Sequence, residues 1–413
     1  MAHLLVIELP GGNDTDILQA ALDRGDQFTF LSAQLSHYRA QPAVWALVDQ
    51  ARNLVDVAGW DYEQCEQAVL ALHVRDSLQA VLCLLDIRLV DAARLAHALS
   101  LPFLNPASSV LLRDKYKVRC ELAKRGLTQP PFALACSNEE LRRAVDTLGL
   151  PVLIKPVDGF GSQNIVMIEH SEDLDPWFTP LDDMLPSDVD YGLGVKANDR
   201  LLVERFMTGT VVGCDTFTRN GQHQLLGINE KVMYDPPSFA IRGSSFTPMR
   251  AEFEALERYV FALLDAVGFD WGAAHIELML TEQGPQLIEI NARLVGAKIG
   301  RLVSLALGTS VHQQLIALHL GDTARTAIQE GQIAVIRWIV ADGPGILDHV
   351  ELPASYDPRI HCVEILKKTG DRIKPPMDNA DRIGYVLTSA ASAQTAMASA
   401  QAYVDQCICH YLA

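Results

Sequence analysis

The chain has 413 residues, 49% hydrophobic and 21% charged, which is enough apolar mass for a large core and about two or three domains. Its net charge of −17 argues against nucleic acid as a partner, because a phosphate backbone needs a basic surface. It does not exclude a nucleotide, whose phosphates are met by a few local cations and by metal.

No stretch approaches the roughly 18 consecutive apolar residues of a membrane span. The opening Met1-Ala-His-Leu-Leu-Val-Ile-Glu8 lacks the basic region and apolar core of a leader and reads as the first strand of a soluble protein, so no membrane partner is expected. Eight cysteines are scattered without a CxxC pair, which fits a reduced, cytoplasmic compartment. The one cluster, Cys407-Ile-Cys409-His410, is expected to pack on a terminal helix rather than to bind metal.

Residues 1–110 alternate strand-like runs (His3 to Glu8, Gln27 to Leu31, Ala80 to Leu84) with helical spacing (Asp16 to Arg24, Tyr62 to Arg75, Val90 to Leu99), the pattern of a small open α/β domain. Gly11-Gly12-Asn13-Asp14 follows the first strand but is not GxGxxG. A helix is expected over Arg113 to Arg125, with Asp114 at its start and Gly126 at its end.

From Val152 the rhythm becomes strand–loop–strand. Lys155 ends an apolar strand, and Gly159, Gly161 and Ser162 make a turn rich in exposed N–H groups, suited to covering phosphates. Asn164 to Ile168 is the return strand, and Leu181 to Asp199 is a polar loop. Leu201 to Arg205 and Val211 to Thr218 read as strands. Glu230-Lys231 precedes a Pro236-Pro237 turn, then Phe239 and a loop through Ser245, a plausible wall for a small zwitterion. Arg250 to Val267 is helical, as is the region Leu302 to Leu318. A last section from about residue 331 begins with the strand Ile333 to Val340 and ends on an Ala-rich helix, Ala391 to Leu412. The divisions expected are 1–110, 111–205 and 206–413.

The most informative stretch is Ala274-His-Ile-Glu277-Leu-Met-Leu-Thr-Glu-Gln-Gly284-Pro-Gln-Leu-Ile-Glu289-Ile-Asn291-Ala-Arg293. It reads as two strands joined by a turn at Glu282 to Pro285. Folded about position 283, Glu277 lies opposite Glu289 and His275 opposite Asn291, all on one face. Ile276, Leu278, Leu280, Ile288 and Ile290 take the other face, toward the core. Two directly opposed carboxylates repel. With an amide and an arginine beside them, they suit a hard cation, Mg²⁺ or Mn²⁺.

Asp114-Lys115-Tyr116, Ile154-Lys155-Pro156-Val-Asp-Gly-Phe-Gly-Ser162, Leu202-Val-Glu204-Arg-Phe206, His275-Ile-Glu277 and Leu287-Ile-Glu289-Ile-Asn291-Ala-Arg293 occur in an order that resembles the ATP-grasp superfamily. Within it, Glu230-Lys231 to Phe239 and the section after 330 are similar to the carboxylate–amine ligases, in particular the L-amino acid ligases that form dipeptides. The resemblance implies an ATP-grasp fold of α/β (α+β) class: a Rossmann-like N-terminal domain, a small lid and a C-terminal α+β section. It implies ATP and Mg²⁺ as cofactors, amino acids as substrates and a homodimer.

The same resemblance implies roles. Lys115 and Lys155 bind ATP phosphates, Lys155 with Arg293 acting in catalysis; Gly159, Gly161 and Ser162 form the lid; Glu204 and the backbone of Phe206 hold the adenine. Glu277, Glu289 and Asn291 bind metal, and Arg293 meets the transferred phosphoryl group. Glu230, Lys231, Ser245 and Gly296 join Arg293 around the substrates. Two positions depart from the pattern. Val211 stands where relatives have a ribose-binding acid, with Asp215 on the same strand face as a substitute, and Ser244-Ser245-Phe246 replaces a loop histidine. The reaction implied is amide formation through an acylphosphate, releasing ADP and phosphate, with a tabtoxin-like antibiotic or toxin as one product class. A ligase or carboxylase with another acceptor and a non-catalytic ATP-binding protein are the alternatives.

Overall fold

In the computed structural model, residues 1–159, 165–170, 200–234, 240–322, 332–354, 357–377 and 379–412 are described. Gly161 and Ser162 of the expected lid, the loop Leu181 to Asp199, and Pro236, Pro237 and Phe239 lie outside them.

Four short apolar runs, β1 (His3–Ile7), β2 (Gln27–Ser32), β3 (Asn53–Asp56) and β4 (Ala80–Cys83), pair as a parallel sheet in the order β3-β2-β1-β4. Parallel strands need covering on both faces. The helices Asp16–Asp23, Tyr62–Arg75 and Leu89–Ala98 supply much of that cover. β3 escapes sequence reading because only Leu54 and Val55 are apolar in it.

A second sheet is antiparallel, β5 (Phe132–Ala135), β8 (Leu201–Arg205), β6 (Val152–Pro156) and β7 (Val166–Ile168) in that spatial order. It packs on the helix Asn138–Leu148, which Ser137 caps.

The third sheet has eight strands, in the order β13-β12-β9-β10-β11-β14-β18-β16. These are β9 (Thr210–Arg219), β10 (Gln222–Met233), β11 (Ile241–Pro248), β12 (Trp271–Thr281), β13 (Gly284–Asn291), β14 (Ile333–Val340), β16 (Ile360–Ile365) and β18 (Arg382–Ala390). Asn220-Gly221, both at positive φ, make the two-residue turn that returns β9 as β10. Glu230 and Lys231 therefore sit on a strand, not in a loop, and Ser244 to Phe246 lie on β11. The section after 330 adds strands to this same sheet.

Two helical expectations need correction. The region Leu302 to Leu318 is two helices, Ile299–Leu307 and Val311–His319, broken at Gly308 in the left-handed conformation. The Ala-rich terminal helix spans only Ala393–Val404, capped by Ser392. Cys409 and His410 lie on the following strand β19 (Ile408–Tyr411), which joins β15 (Gly345–Glu351) and β17 (Arg372–Ile373) in a small third-layer sheet. No helix among the described residues is long and apolar enough to cross a membrane.

Candidate active site

The site lies at the polar end of one face of the eight-stranded sheet. Side chains two apart on a strand share a face. Ala273 and Phe217, paired across β12 and β9, are core. Two residues further on, the same face carries His275 opposite Asp215, then Glu277 opposite Gly213.

Across the hairpin, His275 pairs with Asn291 and Glu277 with Glu289. The expected partners meet, though by a different route. The turn holds only Glu282 and Gln283, and Thr281 pairs with Gly284; a bulge beside Glu277 then leaves Ile288 without a partner and shifts the register by one residue. Leu287 therefore enters the core in place of Ile288, and Leu280 is exposed.

Each opposed carboxylate has its own lysine. Lys231 Nζ lies 2.5 Å from Glu277 Oε1, and Lys115 Nζ lies 2.9 Å from Glu289 Oε1. Lys115 opens the helix Lys115–Lys124, whose N-cap Asp114 accepts from the Lys117 N–H. Its ammonium also donates to the Gly159 carbonyl, and Arg113 donates to the Asp158 carbonyl at 2.6 Å. The helix start is thereby tied to the turn after β6.

His275 is buried, with Nδ1 2.9 Å from Asp215 Oδ1 and Nε2 3.4 Å from Glu277 Oε1. Burial opposes its charge, but Asp215 and Glu277 outweigh burial and raise the imidazole to about 9. Burial likewise pushes Glu277 up, and the His275 hydrogen bond with the Lys231 charge brings it well below the usual carboxylate range. Asp215, expected as a ribose contact, is 2% exposed and holds His275 instead.

Arg293 reaches the N-terminal sheet. Its Nε and Nη2 lie 2.7 and 2.6 Å from Asp86 Oδ2, and that carboxylate more than offsets the effect of burial on the guanidinium charge. Asp86 follows β4 at the carboxyl end of the parallel sheet, beside the reversal of strand order between β1 and β4. Open α/β sheets form their crevices at such points. Sequence reading missed Asp86; its place directly after an apolar strand was the available signal.

Glu204, expected at the adenine, is held by two cations. It is buried, its Oε1 2.5 Å from Arg119 Nε and its Oε2 2.6 Å from Lys155 Nζ. Burial raises its carboxyl, and the two cations overturn that and hold it at about 2. Lys155 is buried with it, at 4% exposed, so contact with a phosphate requires this pair to open. The Phe206 N–H is already given to the Pro151 carbonyl at 3.0 Å and is not available to a base.

The carboxylates open on a cavity of about 210 Å³ that also touches Asn291, Arg293 and Gly296. Lys231 lines it as expected. Glu230 and Ser245 do not: β10 and β11 pair Lys231 with Ser244 and Glu230 with Ser245, and alternation turns the second pair to the opposite face. Ser244 lines the cavity, as do Asn229, Trp338 and Arg382. A larger opening of about 430 Å³ around Ile346, Arg372 and Lys374 contains none of the hairpin residues.

Glu277, Glu289 and Asn291 present only oxygen ligands, which fit Mg²⁺ or Mn²⁺. Among the described residues no three His, Cys, Asp or Glu side chains converge on one point. A cation here would therefore take its remaining ligands from water or a bound phosphate.

Residues 148–301 match the model of the ATP-grasp domain, from the lid strands through Glu204 to Arg293. The chain carries an ATP-grasp domain. Residues 337–407 match the L-amino acid ligase C-terminal domain 2, so the ATP-grasp domain is followed by the module expected from the resemblance. The chain is 28% identical over 311 residues to an uncharacterized protein of Sinorhizobium fredii, covering 73% of this chain and 62% of that one. It is 26% identical over 220 residues to dapdiamide A synthase of Enterobacter agglomerans, covering 52% and 50%. These matches thus span between half and about three fifths of the relatives' own lengths. The crystal structure of L-amino acid ligase from Bacillus licheniformis superposes over 100% of this chain and 99% of its own, with a TM-score of 0.80 at 20% identity, which establishes the shared fold.

Proposed function

We propose that the chain is an ATP-dependent ligase that joins the carboxylate of one amino acid to the amine of a second through an acylphosphate. The observation that carries this reading is the cavity in which opposed Glu277 and Glu289, Asn291, Lys231 and Arg293 converge inside an ATP-grasp domain. The L-amino acid ligase C-terminal domain and the similarity to dapdiamide A synthase support amino acids as the substrates.

In this reading the acyl donor's carboxylate attacks the γ-phosphorus of ATP, ADP leaves, and the amine of the second substrate displaces phosphate. Bound at Glu277, Glu289 and Asn291, Mg²⁺ would lessen the repulsion between carboxylate and triphosphate. Lys115, at the head of its helix and beside the lid turn, adds a point charge toward the phosphates. Arg293, held by Asp86, stabilises the charge on the phosphoryl group as it moves. His275 fixes Glu277 from behind. Lys155 contributes to the phosphates only after its pair with Glu204 opens. The eight cysteines are all free thiols, which supports a reducing compartment.

The test is phosphate release from Mg-ATP with amino acids supplied singly and in pairs. Release that requires a pair supports the ligase. The absence of release with every pair tried overturns it, and release driven by bicarbonate assigns the chain to carboxylation instead.

A further inference from the structure

Three lysine or arginine side chains of the described residues line the cavity, and two of them already have an acid. Lys231 is engaged by Glu277, and Arg293 by Asp86. Arg382, at the start of β18, makes no ion pair among the described residues. Its guanidinium carbon lies 3.9 Å from the centre of the Trp338 ring, and its Nη2 donates to Asn379 Oδ1 at 2.5 Å. Asn379 is neutral, so the positive charge has no counter-ion among the described residues. Burial lowers Arg382 to about 10, with only Tyr234 opposing it.

Beside the cavity are three N–H donors with no acceptor among the described residues. Arg382 Nε, Trp338 Nε1 and Asn229 Nδ2 are all buried and unpartnered, and all three residues line the cavity. Trp338 and Asn229 are 2% and 1% exposed, so bulk water does not solvate them freely. Buried polar groups are nearly always paired, and a concentration of unpaired donors beside one cavity marks the place of an acceptor.

The ligase reading, on which this inference rests, says which acceptor. An amino acid that donates its amine brings a carboxylate that stays free in the product. That anion must settle in a cavity already carrying Glu277 and Glu289, within a chain of net charge −17. Without a cation of its own it would be repelled. We propose that Arg382, stacked on Trp338 and braced by Asn379, anchors the free carboxylate of the amine-donating substrate. A planar guanidinium takes a carboxylate through two parallel hydrogen bonds, and the indole fixes the plane in which it does so. The acyl donor's carboxylate then lies at the Glu277–Glu289–Arg293 end of the cavity, and the surviving carboxylate at the Trp338–Arg382 end.

The experiment uses the full chain with Mg-ATP, one amino acid as acyl donor, and the second supplied either as the free acid or as its carboxamide, with phosphate release as the readout. The unaltered chain should prefer the free acid by about tenfold or more in kcat/KM. Arg382→Gln should raise KM for the free acid by about tenfold to a hundredfold, leaving KM for ATP and the rate with the amide unchanged. Arg382→Lys should recover part of the loss. Equal use of acid and amide by the unaltered chain overturns the inference without reference to any variant. So does an Arg382→Gln variant that loses acid and amide alike. In both cases the ligase reading stands, whereas the absence of release with every pair tried overturns that reading and this inference together.

Discussion

Arg293 and Asp86 meet across 207 positions of sequence, two N–H groups of the guanidinium converging on one carboxylate oxygen. The pair couples the parallel N-terminal sheet to the hairpin of the eight-stranded one. Asp86→Asn should keep the fold but free the arginine, lowering kcat by roughly tenfold to a hundredfold with little change in KM for ATP. Steady-state phosphate release checks this. An equal fall in melting temperature and rate would reduce the contact to a structural one.

Glu289→Gln removes one of the two opposed charges and leaves Lys115 without its acid. The Mg²⁺ concentration for half-maximal release should rise by about tenfold or more, and Mn²⁺ binding should weaken in parallel. The thermal cost should be small, because Lys115 and Glu289 are both partly exposed.

Glu204→Gln leaves Arg119 and Lys155 buried without the one carboxylate they share. The expected loss is about 3–5 kcal/mol, read by denaturant unfolding. The same group sets an acid limit. Its folded carboxyl sits at about 2, below the unfolded value of 4.5. Its contribution is therefore complete above 4.5 and is lost as pH falls from there toward 2.

His319 acts in a higher window. Burial lowers its imidazole to about 4, against the Pro102 carbonyl that favours the charged form. The unfolded chain binds this proton first, near 6.5, so stability falls as pH drops from 6.5 to 4. In His319→Gln, melting temperature should fall less steeply over that range than in the unaltered chain. Identical slopes would remove His319 from the account.

Gly213→Ala tests the packing behind Glu277. A Cβ at Gly213 would lie 2.4 Å from His275 Cε1. The ring must move, and with it the support of Glu277. Activity should drop by at least about tenfold.

Much of the site was legible because it lies on one hairpin, where alternation alone puts His275, Glu277, Glu289 and Asn291 together. The bulge beside Glu277 was not legible. Counting from a longer turn gave the same partners, so the error surfaced only at Ile288 and Leu287. Ser244 was missed by one position, since a strand read as a loop has no parity. The Asn220-Gly221 turn was the cue that would have made β10 a strand. Glu204 and Lys155 were assigned by motif and Asp215 by its strand face, and their partners Arg119, Glu204 and His275 come from other strands and helices. Trp338 and Arg382 carry no local signature, since tertiary pairing alone brings them to the cavity.

The pairing of β11 with β14 joins the two matched modules into one sheet, Gly243 against Arg337 and Ser244 against Ile336. Recombination between relatives is consequently constrained at this seam. A transplanted C-terminal module that docked one residue out of register would turn Trp338 away from the cavity and swing Arg337 into it. Substrate choice in such hybrids would then follow strand alignment as much as the identity of the residues exchanged.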